Sequence, residues 1–316
     1  MKLGRLGRML IAGWLFSGAL QAAEVQVSPG NGTLAAAVLA AADGDTLVLS
    51  DGTYLGNGDL VIDKALTIRS INSAVASLIT GGTFTINAAD SQVILQGLDF
   101  GVEVVLLAAA DIKVLESSFY SGVNLNVTGY ATTDGDGTLM VIGNFFSPGS
   151  LITTINAYDA YIAGNTFERG HLISNVAVWV VGNFIRGTNY TDVISISTEG
   201  AARVLANRVF LNVGASSVDD IDGIVITAGT ALIAGNIVKI NSSFSSYGTN
   251  RRGIYATGST YARVFNNTID TAGGSGGHNS GQYGILAYGD VSGNMVINLR
   301  GINYGYRAIA GTGIEN

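Results

Sequence analysis

Three carboxylates fall within four residues at Asp219, Asp220 and Asp222, in the segment Val218-Asp219-Asp220-Ile221-Asp222-Gly223, just before an apolar stretch. Carboxylates this close split their pKa values, so that one can donate a proton while another activates water. The same oxygens suit calcium, a hard cation bound through oxygen ligands. A solvated acidic loop is the plainer reading of these residues and stands beside calcium binding and acid/base chemistry.

A second concentration lies toward the C-terminus. Seven of the 13 Tyr fall between Tyr247 and Tyr306, Tyr255 and Tyr283 among them, interleaved with Arg251, Arg252, Arg263, Arg300 and Arg307. Aromatic faces stack on sugar rings and Arg pairs bidentately with carboxylates, so an acidic polysaccharide is a natural ligand for such a surface. In a β-elimination beside a uronate, Arg251 and Arg252 would neutralise the carboxylate while His278 or Tyr283 moves the proton. His278 sits in the Gly-rich loop 273–281, free to approach a groove. Ordinary strand-surface Tyr and salt-linked Arg are the alternative.

These residues must be positioned by a phrase that keeps returning: an apolar alternation, usually Gly-Asn, then an apolar residue. It reads Leu139-Met-Val-Ile-Gly-Asn144-Phe-Phe and recurs around Asn165, Asn183, Asn207, Asn236, Asn267 and Asn294. With Leu98 and Ser117 as earlier equivalents, successive anchors lie 19, 27, 21, 18, 24, 29, 31 and 27 residues apart. Repetition at this period with strand-like alternation predicts a β-solenoid. The apolar positions would stack on their equivalents one coil away. Gly-Asn would make the turn, since both residues tolerate positive φ, and the Asn side chains would bond one another in a buried amide ladder.

The same stacking predicts a strip. The residue before the buried Val or Ile of each phrase faces outward, which gives Lys113, Met140, Tyr161, Trp179, Arg203, Leu232 and Arg263 at one strand spacing. Tyr161, Trp179, Arg203 and Arg263, with Tyr255, are the candidate glycan-binding residues. A neighbouring subunit or a covering loop would fit the apolar members equally.

Thr33 to Ala42 reads as a short helix with Thr33 as N-cap, closed by Asp43-Gly44, and such a helix would cover the open end of the first coil. Met1 to about Ala23 has Lys2, Arg5 and Arg8, then 12 apolar residues to Leu20, the pattern of a secretory leader too short for a membrane span. The expectation is a secreted or periplasmic protein with a single domain over 24–316. Removing the leader takes three positive charges and no negative one, moving the net charge from −7 to −10. That argues against nucleic acid or anionic membranes as partners. There is no Cys, which constrains the compartment weakly in a chain of 316 residues. The last residues, Ile314-Glu-Asn316, read as the start of another coil with nothing amphipathic after it, so the expectation is either that the sequence is a fragment or that the protein associates end to end or face to face with itself or with a partner, the rival reading of a non-catalytic assembling protein.

Gly44-Asp-Thr-Leu-Val-Leu49, Asp51-Gly-Thr-Tyr54 and Leu60-Val-Ile-Asp-Lys-Ala-Leu-Thr-Ile68 resemble the N-terminal coil of the pectin-lyase-like right-handed parallel β-helix proteins. The Gly-Asn coils and the Gly-Ile strands at Gly223-Ile224, Gly253-Ile254 and Gly284-Ile285 are similar to that superfamily's generic repeat. The resemblance implies an all-β, single-stranded right-handed parallel β-helix of about 11–12 coils with an N-terminal capping helix. Its members include polysaccharide lyases, pectinases and non-enzymes, so fold and activity separate here. The pectate lyase and alginate epimerase motifs are missing. The alginate and chondroitin lyases are similar in using a Lys and an Arg on neighbouring coils, but Lys239 does not stand in a copy of their motif. The function expected is binding of an extracellular acidic polysaccharide, with cleavage by elimination as its catalytic form.

Overall fold

The computed structural model describes residues 22–56, 58–72, 77–89, 91–108, 111–127, 138–154, 159–169, 171–174, 177–188, 192–198, 200–213, 221–227, 229–242, 251–257, 261–271 and 282–297. Residues 1–21 of the leader expected over 1–23, the chain end and the candidates Asp219, Asp220 and His278 lie outside these residues.

The chain winds through three sheets in strict rotation. The first runs from strand Glu24–Val27 through Thr46–Leu49 and Leu66–Ser70 to Gly289–Ser292 and holds 12 strands. The second runs from Gly30–Asn31 to Met295–Ile297 and also holds 12, while the third, from Leu60–Ile62 to Gln282–Ala287, holds 10. Neighbouring strands are parallel and one coil apart, as in Ala160 with Val178 and Ile194 with Ile224. Parallel strands stacked coil on coil are the β-solenoid that the repeat predicts.

Alternation decides what fills the tube. In the first sheet Leu95, Val114, Val141, Ile162, Val180, Val204, Ile233, Val264 and Val291 form one inward column, all buried. In the second sheet the residue two after each anchor points inward. There Phe100, Phe119, Phe146 and Phe167 stack with centroids 5.1, 4.5 and 4.5 Å apart. Such stacking adds to the apolar area removed from water on every coil.

The ladder forms at the corner between the first and second sheets. Asn183 donates from Nδ2 to Oδ1 of Asn207 at 2.9 Å, Asn207 to Asn236 at 3.0 Å and Asn236 to Asn267 at 2.9 Å. Each Oδ1 also accepts the backbone N–H of the preceding Asn, as in Asn183 N to Asn207 Oδ1 at 2.9 Å. Ser117 and Leu98 extend the column, with Ser117 N donating to Asn144 Oδ1 and Leu98 N to Ser117 Oγ. The division of labour in Gly-Asn differs from the expectation. The residue before the anchor takes the left-handed conformation, with φ of 70° at Gly143, 64° at Gly182, 54° at Ala206 and 55° at Asn266, while the anchor Asn forms the ladder. Only Gly enters that region without steric cost.

The helix spans Thr33–Ala40 and takes the place of a third-sheet strand in the first coil. Its N-cap is Gly32, left-handed at φ 70°, and not Thr33; no side chain caps the first turn. The C-terminal end is closed by Lys64, whose Nζ reaches the carbonyls of Val38 at 3.3 Å and Ala41 at 3.1 Å. A cation there satisfies orphan carbonyls and suits the negative end of the helix. Asp45 ties the entry, accepting Ala23 N on Oδ1 and Ala42 N on Oδ2, both at 2.7 Å. Among the described residues no helix is long and apolar enough to cross a membrane.

Candidate functional site

The outward strip on the first sheet exists in register. Lys113 lies beside Met140, Met140 beside Tyr161, Tyr161 beside Trp179, Trp179 beside Arg203, Arg203 beside Leu232 and Leu232 beside Arg263. Each occupies the outer position between two buried residues of its strand. Trp179 is 40% exposed, unusual for so large an apolar ring on a free strand surface. Its neighbours shape it into a platform. The Tyr161 and Trp179 centroids lie 6.4 Å apart at 48°, and the Arg203 guanidinium sits 4.1 Å from the Trp179 ring centroid. A guanidinium on an aromatic face is held by cation–π attraction and keeps its N–H edge for an anion. At the far end Arg263 lies beside Asp290, and the Asp290 carboxylate bonded to the Tyr261 hydroxyl pushes that phenol's pKa up. The strip is therefore cationic and aromatic in its middle and closed by an acid–phenol pair.

The third sheet distributes the C-terminal candidates differently from their order in sequence. Gly253 and Ile254 both face the interior: a Cβ on Gly253 would meet Ile269 Cγ2 at 2.4 Å and Gly284 O at 2.7 Å. The double inward step reverses the alternation before it. Arg251 consequently points inward and is 2% exposed, enclosed by the coil and out of reach of a polymer on the outer surface. Burial pushes its pKa down from the ordinary value. Arg252 faces outward beside Asp222 and Tyr283 of the flanking coils. It donates Nε to Asp222 Oδ1 at 2.6 Å and an Nη to Oδ2 at 2.7 Å, with the guanidinium 3.9 Å from the Tyr255 ring centroid. Side-chain exposures of 11% and 4% make this a covered ion pair. The Arg252 fork grips an internal carboxylate, the same geometry by which it would grip a uronate. Asp222, with both oxygens engaged by one guanidinium, has the bonding of a structural anchor and not of an open calcium ligand. Among the described residues no three His, Cys, Asp or Glu side chains cluster closely enough to hold a metal ion.

Sequence reasoning overlooked the outer face of the second sheet. There Glu168, Arg186, Phe210, Lys239, Asp270 and Ile297 align coil by coil. Lys239 pairs with Asp270 at 3.6 Å. The available signal was the anchor itself: the second residue after each Asn is buried, so the first and third, Phe184 and Arg186 after Asn183, must face out.

No family model matches the chain, and no curated protein matches it. Among solved structures it is similar to a mannuronic acid specific polysaccharide family 6 lyase from human gut microbiota, at 14% identity over 93% of this chain and 92% of that chain, with a TM-score of 0.40. It is also similar to a mutant of the PL6 family alginate lyase AlyGC, at 16% identity over 87% of this chain but only 40% of that chain, with a TM-score of 0.43. Likeness of this degree leaves the fold resting on the chain's own strand order, that of a three-sheeted parallel β-helix.

Proposed function

We propose that the protein binds an acidic polysaccharide along the outer strip of the first sheet, with Tyr161 and Trp179 stacking on sugar rings and Arg203 and Arg263 pairing with carboxylates. The observation that carries this reading is the exposed Trp179 ring with the Arg203 guanidinium 4.1 Å from its centroid. Aromatic and cation repeat along the strip at one strand spacing, roughly 4.8 Å, which is comparable to the length of a pyranose unit. A polymer lying along the tube axis thus meets a ring or a charge at Lys113, Tyr161, Trp179, Arg203 and Arg263, with Met140 and Leu232 as apolar positions between them. Local positive charge on a chain of net −7 favours an anionic ligand at this face over elsewhere.

The proposal is for binding. Turnover would require a proton-transfer group at the same polymer, and of the candidates described on the third sheet Arg251 is enclosed and Arg252 is engaged by Asp222. Calorimetry with alginate, pectate and glycosaminoglycan oligomers, followed by mass analysis of the recovered sugars, tests both points. Binding with intact oligomers supports the proposal; unsaturated fragments would add elimination chemistry and direct attention to Tyr283 and His278. No heat with any acidic oligomer would refute it.

A further inference from the structure

On the second sheet a groove of about 530 Å³ opens across four coils, a volume within the ~300–1,000 Å³ usual for small-molecule sites. Its apolar wall is made by Phe184 and Phe210, with centroids 5.6 Å apart at 42°. Both are half-buried although they stand on the solvent side of the sheet. Its cations are Arg186 and Arg169. Arg186 meets Glu168 through one contact at 3.3 Å and its side chain stays 49% exposed. Arg169 is exposed and, among the described residues, makes no ion pair. Its polar end holds Asn212 and Asn241, whose amides are bonded to each other by one hydrogen bond, Asn241 Nδ2 to Asn212 Oδ1 at 3.1 Å. That leaves the Asn212 NH2 and the Asn241 carbonyl oxygen directed to ligand or water.

Arg169 carries a further argument. It lies in the left-handed region at φ 57°, and its carbonyl accepts the N–H of Gly149, which makes the corresponding turn one coil earlier at φ 85°. A side chain at such a turn is sterically disfavoured relative to Gly. That turn sets the Arg169 cation at the groove's edge. With Glu168 counted, the groove has one net positive charge on a protein of net −7.

We infer that this groove binds a single carboxylated sugar unit: the ring packs on Phe184 and Phe210, the carboxylate pairs with Arg169 and Arg186, and ring hydroxyls bond the Asn212 and Asn241 amides. An apolar ring face, a fixed anion and several hydroxyls are the complement of this lining, and hexuronates combine all three. The inference uses other residues and another sheet than the strip at Trp179, and the two stand or fall separately.

The test is ¹⁵N NMR of the full chain, following the Asn212 and Asn241 side-chain NH2 resonances during titration with glucuronate, galacturonate and mannuronate, with methyl glucoside as the neutral control. The expected result is saturable shifts of both amides with uronates and at least tenfold weaker response to the glucoside. Arg169→Gly removes the cation while relaxing its turn, so the variant should fold at least as well as the parent yet bind uronate about tenfold more weakly. Phe210→Ala should weaken uronate and glucoside alike, and Trp179→Ala should leave both amide responses unchanged. Equal shifts with charged and neutral sugars, an unchanged Arg169→Gly titration, or silent amides would overturn the inference.

Discussion

Replacing Asn207 by Leu removes one rung of the corner ladder at nearly constant volume, and the structure states what is lost. Asn207 is fully buried. Its Oδ1 accepts Asn183 N and Asn183 Nδ2, each at 2.9 Å, and its Nδ2 donates to Val180 O at 2.8 Å and Asn236 Oδ1 at 3.0 Å. After the change Asn183 N–H loses the acceptor in its side-chain rung, at about 1–3 kcal/mol for a buried donor left unmade. The other groups keep a second bond, since Asn183 Nδ2 still reaches Ile162 O and Asn236 Oδ1 still accepts Asn207 N. Three further bonds at about 0.5–1.5 kcal/mol each bring the expected loss to about 5 kcal/mol. Against a total stability of about 5–15 kcal/mol this is a severe destabilisation. Urea titration followed by circular dichroism reads it as a lower midpoint. Asn212→Ala, in an exposed amide pair, serves as the control and should stay within about 0.5 kcal/mol of the parent. A loss below about 1.5 kcal/mol for Asn207→Leu would refute the ladder as a source of stability.

Burial pushes the Tyr54 hydroxyl, which donates to Val27 O at 2.7 Å and Ser50 O at 2.9 Å, up to about 12. The folded state thus favours the neutral phenol: its contribution is complete below the ordinary value near 10 and disappears as pH rises toward 12. Tyr54→Phe should cost about 1–2 kcal/mol at pH 7 and lose this alkaline fall, seen as a gap between the two melting curves that narrows above pH 10. Hydrogen bonds from Ala23 N, and then Ala42 N, hold the Asp45 carboxyl below its ordinary value. That stabilisation is present above about pH 4 and lost as pH falls through the lowered value, so the melting gap to Asp45→Ala should shrink in acid; a gap independent of pH would contradict the assignment.

Much of the architecture was written in the spacing of the anchors, because a stacked amide ladder and an inward column tolerate little variation in residue type. Ser117 could be matched to Asn144 from spacing alone, and it occupies that rung. The outward strip followed from the same register, since one fixed inward residue sets the direction of its neighbours. Alternation failed where it is locally broken. Counted back from Ile254 it places Arg252 inside and Arg251 outside, whereas the consecutive inward pair Gly253-Ile254 inverts both. Nothing in the residue types announces that Asp222 of the preceding coil lies opposite Arg252, because the intervening coil length is fixed by loops and not by strand pattern. The second-sheet groove escaped notice for a related reason: Phe184 and Ile185 are adjacent and both apolar, and only the count from Asn183 tells which one faces solvent. Thr33 as N-cap was an error of one residue, because a left-handed Gly32 turns the chain into the helix without a capping side chain.

The central claim, that the strip at Tyr161, Trp179 and Arg203 holds an acidic polysaccharide, is met most directly by the fluorescence of Trp179. The chain has two Trp, so replacing Trp14 by Phe leaves Trp179 as the reporter. Titration with alginate and pectate oligomers should shift its emission saturably, and Arg203→Ala should weaken the apparent affinity at least tenfold, about 1.4 kcal/mol, while neutral oligomers of the same length bind no better to the parent than to the variant. Emission unchanged by any acidic oligomer, or an Arg203→Ala curve that superposes on the parent, would contradict the account.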